Sequence, residues 1–180
     1  MNSIKKSTIL HYSVTDTPHS QVSLLQILQN INQLPTDEQI TALSNFLAKT
    51  VQHGIEGSSD FVSTSIARAF IVFIRHHGRL TLGEMLLAMQ LLETLLIKCR
   101  EKKDNTIDTD NLGTALVCVF IVALKFARDI PYRNSWWASQ FNMNLQTINE
   151  SEVVILKLMD WKMWIGIRSF IRFYFRIFSV

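Results

Sequence analysis

Three prolines, six glycines and two cysteines are all that 180 residues hold of each. With Pro18, Pro35 and Pro131 far apart and the glycines scattered, little interrupts the chain, and apolar residues recur at helical spacing. An all-α architecture is expected. Cys99 and Cys118 are too few for a disulfide framework and fall inside apolar helical stretches. They read as reduced core thiols, which points to an intracellular compartment, cytoplasmic or nuclear. A surplus of one charge is also missing: 18 Lys+Arg face 15 Asp+Glu, a formal +3. That is far from the clustered basic excess of a nucleic-acid binder, and no nucleic acid is expected as a partner. The longest strongly apolar stretch, Ala115 to Leu124, is about half of what a bilayer-spanning helix needs. After Met1 to Lys6 comes the polar run Tyr12 to Gln21, where a signal peptide would have its hydrophobic core. Neither a membrane span nor secretion by that route is expected. There is no GxSxG, Walker loop, dinucleotide fingerprint, CxxC or HxxxH spacing. The adjacent His76 and His77 point in different directions from a helix end and lack further ligands. No catalytic residue, cofactor or metal is expected, and the chain is read as a binding protein.

What the chain does have is apolar bulk: 48% hydrophobic against 18% charged residues, enough for one domain with a sizeable core. Residues 1–19 are expected to be flexible, and 20–57 to form an N-terminal helical extension. Its first helix should run from about Ser20 to Gln33 and end before Pro35. The second opens on Thr36-Asp37-Glu38-Gln39, a capping box, and ends near Gly54, with a linker from Gly54 to Ser59. The main domain, 58–165, begins with an amphipathic helix near Phe61 to His76, for which Gly78 offers a left-handed stop. Thr81-Leu82-Gly83-Glu84 is a second capping box, launching a leucine-rich helix that gives way to a charged connection from Glu101 to Asp108. From Thr109 or Asp110 a third helix runs to Arg128. Its residues 115–124 are apolar all round, so other helices must cover it on every side. Pro131 stops it, a short helix covers about Ser135 to Phe141, and Thr147-Ile148-Asn149-Glu150 offers a third capping box for a helix through Trp161.

Lys125 is the first charge after that apolar run, and Asp129, Tyr132, Asn134, Trp137 and Ala138 follow it. In order and spacing this resembles the cyclin box of the fungal phosphate-regulation cyclins and the plant P/U-type cyclins. Ile148 to Glu152 and Ile155 to Trp161 are similar to the family's fifth helix, Gly83 to Leu96 to its second, and Asn111-Leu112 to the start of its third. The resemblance spans about 61–165 and is densest over 123–161. It implies a five-helix cyclin box with additional N- and C-terminal helices, acting as a regulatory subunit of a cyclin-dependent-type protein kinase. In kinase-activating cyclins a lysine late in the third helix and a glutamate in the fifth hold the kinase's regulatory helix. By resemblance these are Lys125 and Glu152, the kinase-binding residues. Three ammonium donors beside a carboxylate acceptor can satisfy both kinds of backbone group on a partner. Each residue also complements a helix dipole where it stands, which is a purely local role.

The chain departs from the family pattern at three places. Ala127-Arg128 stand where acidic residues usually follow the lysine and are expected to make the rim more basic. Glu93-Thr94 keep the acid but not the base of an acidic-basic pair, and the arginine-to-tryptophan motif of the first helix is missing, with Arg68 or Arg75 as candidate replacements for its charge. Trp137 reads as core and Trp136 as a surface contact. The segment 166–180 carries Arg168, Arg172 and Arg176 at intervals of four among aromatic and aliphatic residues. It is expected as a final amphipathic helix covering the box, with a membrane-surface or partner-binding role as the sharper reading. A cyclin-fold adaptor or scaffold for a non-kinase partner, or a microbial cyclin mimic, is the alternative function.

Overall fold

The computed structural model describes residues 24–178. The flexible start expected for 1–19, the first residues of the helix expected from Ser20, and the last two of the final segment lie outside the described residues. Among those residues there are eight α-helices and no strand: α1 (Leu24–Ile31), α2 (Asp37–Gly54), α3 (Thr64–Gly78), α4 (Leu82–Lys102), α5 (Leu112–Ala127), α6 (Asn134–Phe141), α7 (Leu145–Leu158) and α8 (Ile167–Phe178). The expected linker after Gly54 contains one 3₁₀ turn, Ser58–Asp60. Buried Ser58 holds it in place by donating its hydroxyl to the carbonyls of Val51 and Ile55. The described residues are all-helical, as the scarcity of breakers leads one to expect.

Two of the three expected capping boxes form. The Thr36 hydroxyl accepts from the Gln39 amide at 3.3 Å while the Gln39 side chain accepts from the Thr36 amide at 2.9 Å, and Thr81 with Glu84 repeats this at 3.3 and 2.8 Å. Each satisfies two amides that have no intrahelical partner, stabilising the helix by about 1 kcal/mol. The third box does not form. Asn144 caps α7 instead, accepting from the amides of Gln146 at 2.8 Å and Thr147 at 3.2 Å, so Thr147 lies inside the helix. An asparagine carbonyl reaches these amides without a reciprocal glutamate, and the helix therefore starts earlier than expected. It also ends earlier, at Leu158, because Asp160 and Trp161 turn left-handed (φ 54° and 59°).

The start of α3 moves in the opposite direction. Ser63 caps it, accepting from the Ile66 amide at 3.3 Å, and leaves Phe61 outside the helix and exposed. At its other end the left-handed residue is Arg79 (φ 48°), not Gly78. Gly78 serves close approach: a Cβ there would lie 2.6 Å from Leu80 Cδ1 and 3.7 Å from the Trp137 ring.

All ten residues from Ala115 to Leu124 are buried, which makes α5 the hub that its all-round apolarity demands. Helices α4, α6 and α7 pack on it, and α4 in turn meets α1, α2 and α8. One continuous core therefore extends from Ile27 in α1 to Phe173 and Tyr174 in α8. Edge-on ring pairs tie the layers together, Phe70 to Phe120 at 5.3 Å and Phe46 to Phe173 at 5.2 Å. The hub fixes the level at which Lys125 leaves the core, one residue beyond Leu124.

Candidate docking site

Lys125 is the first exposed residue after the buried run of α5, and Glu152 stands on α7, which packs beside it. The Lys125 Nζ lies 2.7 Å from each carboxylate oxygen of Glu152. The fold thus joins the two residues singled out from the sequence, although 27 positions separate them. Their side chains keep 35% and 14% of their accessible surface, so the ammonium faces solvent while the carboxylate is largely enclosed. Asn134, from α6, donates through Nδ2 to Glu152 Oε2 at 2.6 Å and to Asn149 Oδ1 at 2.8 Å. Three helices therefore meet at one carboxylate. Aiming the Asn134 amide this way leaves its Oδ1 buried without a partner among the described residues. The opposite rotamer would set that oxygen against the carboxylate, so repulsion selects the observed one. Two of the three Lys125 donors point at Glu152, which leaves one N–H for a partner's acceptor.

Cys118 lies seven residues earlier on α5 and donates its thiol to the Ile148 carbonyl at 3.8 Å. Burial, reinforced by the negative charge of Glu152, pushes this thiol up to about 12, so it stays protonated at neutral pH and is no nucleophile. Cys99 is likewise buried and free.

Arg128 does not make the rim more basic in the way expected. Its Nε and Nη2 donate to the two oxygens of Glu84 at 2.5 and 2.8 Å, and Nη2 also reaches the Gly78 and Arg79 carbonyls at 3.3 Å. Donating to the Glu84 carboxylate raises the guanidinium above its ordinary value. Burial pushes the Glu84 carboxyl up, but the bonds from Arg128 and Thr81 outweigh it and hold the group below the usual carboxylate range. The charge of Arg128 is thus compensated internally, tying the end of α5 to the turn between α3 and α4. Glu84 was legible as a capping residue, but nothing local in the sequence indicates a second partner 44 positions away.

The rim that remains around Lys125 is apolar and acidic: Phe126 is half exposed, Ile130 is 90% exposed, and Asp129 is in solvent. Glu93 pairs with Arg176 of α8 at 2.5 Å, and Thr94 bonds its own helix at Gln90. Arg68 joins α3 to α2 through Thr41 at 2.9 Å, whereas Arg75 Nε is buried without a partner among the described residues. Trp137 is core, 1% exposed. Trp136 is half-buried and stacked on Tyr132 at 4.1 Å, so its ring face is largely used within the chain.

A separate groove of about 490 Å³ opens between α3 and the start of α5, lined by residues including Phe61, Ile66, Phe70, Leu112 and Met143. It presents apolar surface and threonine hydroxyls, with no titratable side chain in its lining. His76 and His77 are exposed at the end of α3, and among the described residues no three His, Cys, Asp or Glu side chains converge as a metal site would require. No described helix is long and apolar enough to cross a membrane. No protein-family model matches this chain, and no curated protein or solved structure matches it either.

Proposed function

We propose that this chain is a cyclin-like regulatory subunit that binds a cyclin-dependent-type protein kinase through the face bearing Lys125 and Glu152. The observation that carries the reading is the junction itself. An ammonium with one donor to spare sits on a carboxylate at 2.7 Å, at the meeting point of α5, α6 and α7 and beside exposed Phe126 and Ile130. A partner loop can offer a carbonyl to Lys125 and an amide to Glu152 while its apolar side chains cover the rim. Holding the kinase's regulatory helix in this way would let the kinase's own glutamate pair with its phosphate-binding lysine and complete the active site.

A purely intramolecular role for the pair makes a different prediction from a docking role, and three variants separate them. Lys125→Glu and Glu152→Lys each place like charges together. The double exchange restores an ion pair in the opposite sense and keeps the helices joined. With a purified cyclin-dependent-type kinase, all three are expected to lose at least about tenfold in binding, the exchange variant while still folded. Unchanged binding by both single variants overturns the docking face. Kinase activity measured on the same complexes distinguishes an activating subunit from an adaptor, which would bind without raising the rate.

A further inference from the structure

The face presented by residues 161–178 is not used by the kinase reading, and its chemistry is one-sided. From Trp161 to the end of the sequence there is no Asp or Glu, while Lys162, Arg168, Arg172 and Arg176 all fall in this stretch. The acid just before it, Asp160, is held by Lys102 at 2.8 Å and Lys98 at 2.6 Å. In a protein whose overall balance is only +3, this local run of one sign is distinctive.

The same segment exposes large apolar side chains. Trp161, Trp164 and Ile167 are 64%, 81% and 60% exposed. Trp164 meets the half-exposed Phe126 ring edge-on at 6.5 Å, extending the apolar surface from the segment to the end of α5. Helix α8 is attached to α2 and α4 by its inner face, where Phe173 and Tyr174 are buried. At 100° per residue, Arg168 and Arg172 lie opposite that face, and the exposed Ile167 and Phe175 flank them on one side, with Ile171 between these two and partly buried against the core. Arg176 is engaged at the flank by Glu93.

We infer that this face docks on the surface of a bilayer containing anionic lipid, with the tryptophans and Ile167 entering the headgroup boundary and Arg168 and Arg172 meeting lipid phosphates and carboxylates. Exposed indoles favour that boundary, where their rings leave water and their N–H groups remain hydrated. A helix with an apolar strip beside a purely basic one is the arrangement that lies in the plane of such a surface. Anionic headgroups complement the charge, and the acyl boundary takes the aliphatic strip, which a nucleic acid would leave in water. Lys125 and Glu152 take no part in this inference, and the two faces meet only at Phe126, which borders both.

The test is co-sedimentation of the full chain with vesicles of phosphatidylcholine alone and of phosphatidylcholine mixed with phosphatidylserine. The chain is expected to sediment with the mixed vesicles and not with neutral ones, and to be released by salt. Arg168→Glu with Arg172→Glu is expected to lower partitioning at least about tenfold. Trp164→Ala with Ile167→Ala is expected to lower it severalfold, and Arg79→Glu, in the turn between α3 and α4, to leave it within about twofold. Brominated phosphatidylcholine in the mixed vesicles should quench the fluorescence of the wild type, which locates indole rings in the bilayer boundary. Failure to sediment overturns the proposal, as does an equal loss in Arg79→Glu, which would mean general charge attraction, or sedimentation without quenching. A chain that ignores vesicles but forms a dimer dispersed by Trp164→Ala would make this face an interface between copies and also overturn it.

Discussion

Replacing Arg128 by Met isolates what the guanidinium contributes, because methionine keeps much of the apolar stem and loses every donor. The native side chain makes two charge-assisted bonds to Glu84 at 2.5 and 2.8 Å and two longer ones to backbone carbonyls, and its carbon CZ lies 5.6 Å from the centre of the Tyr132 ring. An exposed ion pair contributes about 0–1 kcal/mol, and losing one partner of a fully buried pair costs about 3–5 kcal/mol. With side chains 21% and 15% exposed, this pair falls between those limits, and we expect a loss of about 2–3 kcal/mol. For a chain of this size that lowers Tm by about 4–12 °C. Urea and thermal unfolding measure it. In a double-mutant cycle with Glu84→Gln, which retains an acceptor for the Thr81 amide, the two costs should overlap by about 1–2 kcal/mol. The effect also has a pH signature. The folded-state value of Glu84 is lowered, so its contribution is present above the unfolded carboxylate value and is lost as pH falls through the folded one. The gap between wild type and Arg128→Met should therefore narrow as pH falls through and below the usual carboxylate range. A cost below about 0.5 kcal/mol, or a gap unchanged by acid, would refute the assignment of Arg128 as a half-buried tie and return it to the solvated rim.

Trp137→Ala should cost about 3–5 kcal/mol by urea unfolding, because it empties a fully enclosed site between Phe141 and Trp136. At the start of α7, Asn144→Ala should cost about 1 kcal/mol and Thr147→Ala no more than about half that; the reverse order would restore Thr147 as the cap. Asp160 is held down to about 2 by Lys102 and Lys98, so its contribution is present above the unfolded carboxylate value and lost as acid approaches the folded one. Asp160→Asn keeps the shape and tolerates the left-handed backbone, and should flatten the stability profile between about pH 4 and pH 2.

The fold class was legible in the sequence because its signals are local. Helical periodicity, the near absence of breakers and the boxes at Thr36 and Thr81 act over three or four residues, and they appear where expected. So does the buried run from Ala115 to Leu124, since a segment apolar on all sides has no face to give to water. The failures occurred where two local signals competed. Asn144 and Thr147 both suit a helix start, and the earlier one prevailed; Gly78 and Arg79 adjoin, and close packing against Leu80 kept the glycine in the helix while the arginine took the left-handed turn.

Lys125 and Glu152 could be named from a resemblance in pattern, but no spacing along the chain states that their charged atoms stand 2.7 Å apart with Asn134 between α6 and the carboxylate. The same holds for Arg128, whose charge read as solvent-facing until the fold brought Glu84 beneath it. The segment after Asp160 divides in the same way. Its basic character and its aromatic content belong to the sequence alone, whereas which rings are buried depends on the packing of α8 against α2 and α4. By itself, then, the sequence determined the helices, the hub and the local sign of charge, since these depend on neighbours within a turn. Tertiary structure alone decided which charges are paired and which apolar side chains remain in water, because both depend on residues tens of positions apart meeting across the core.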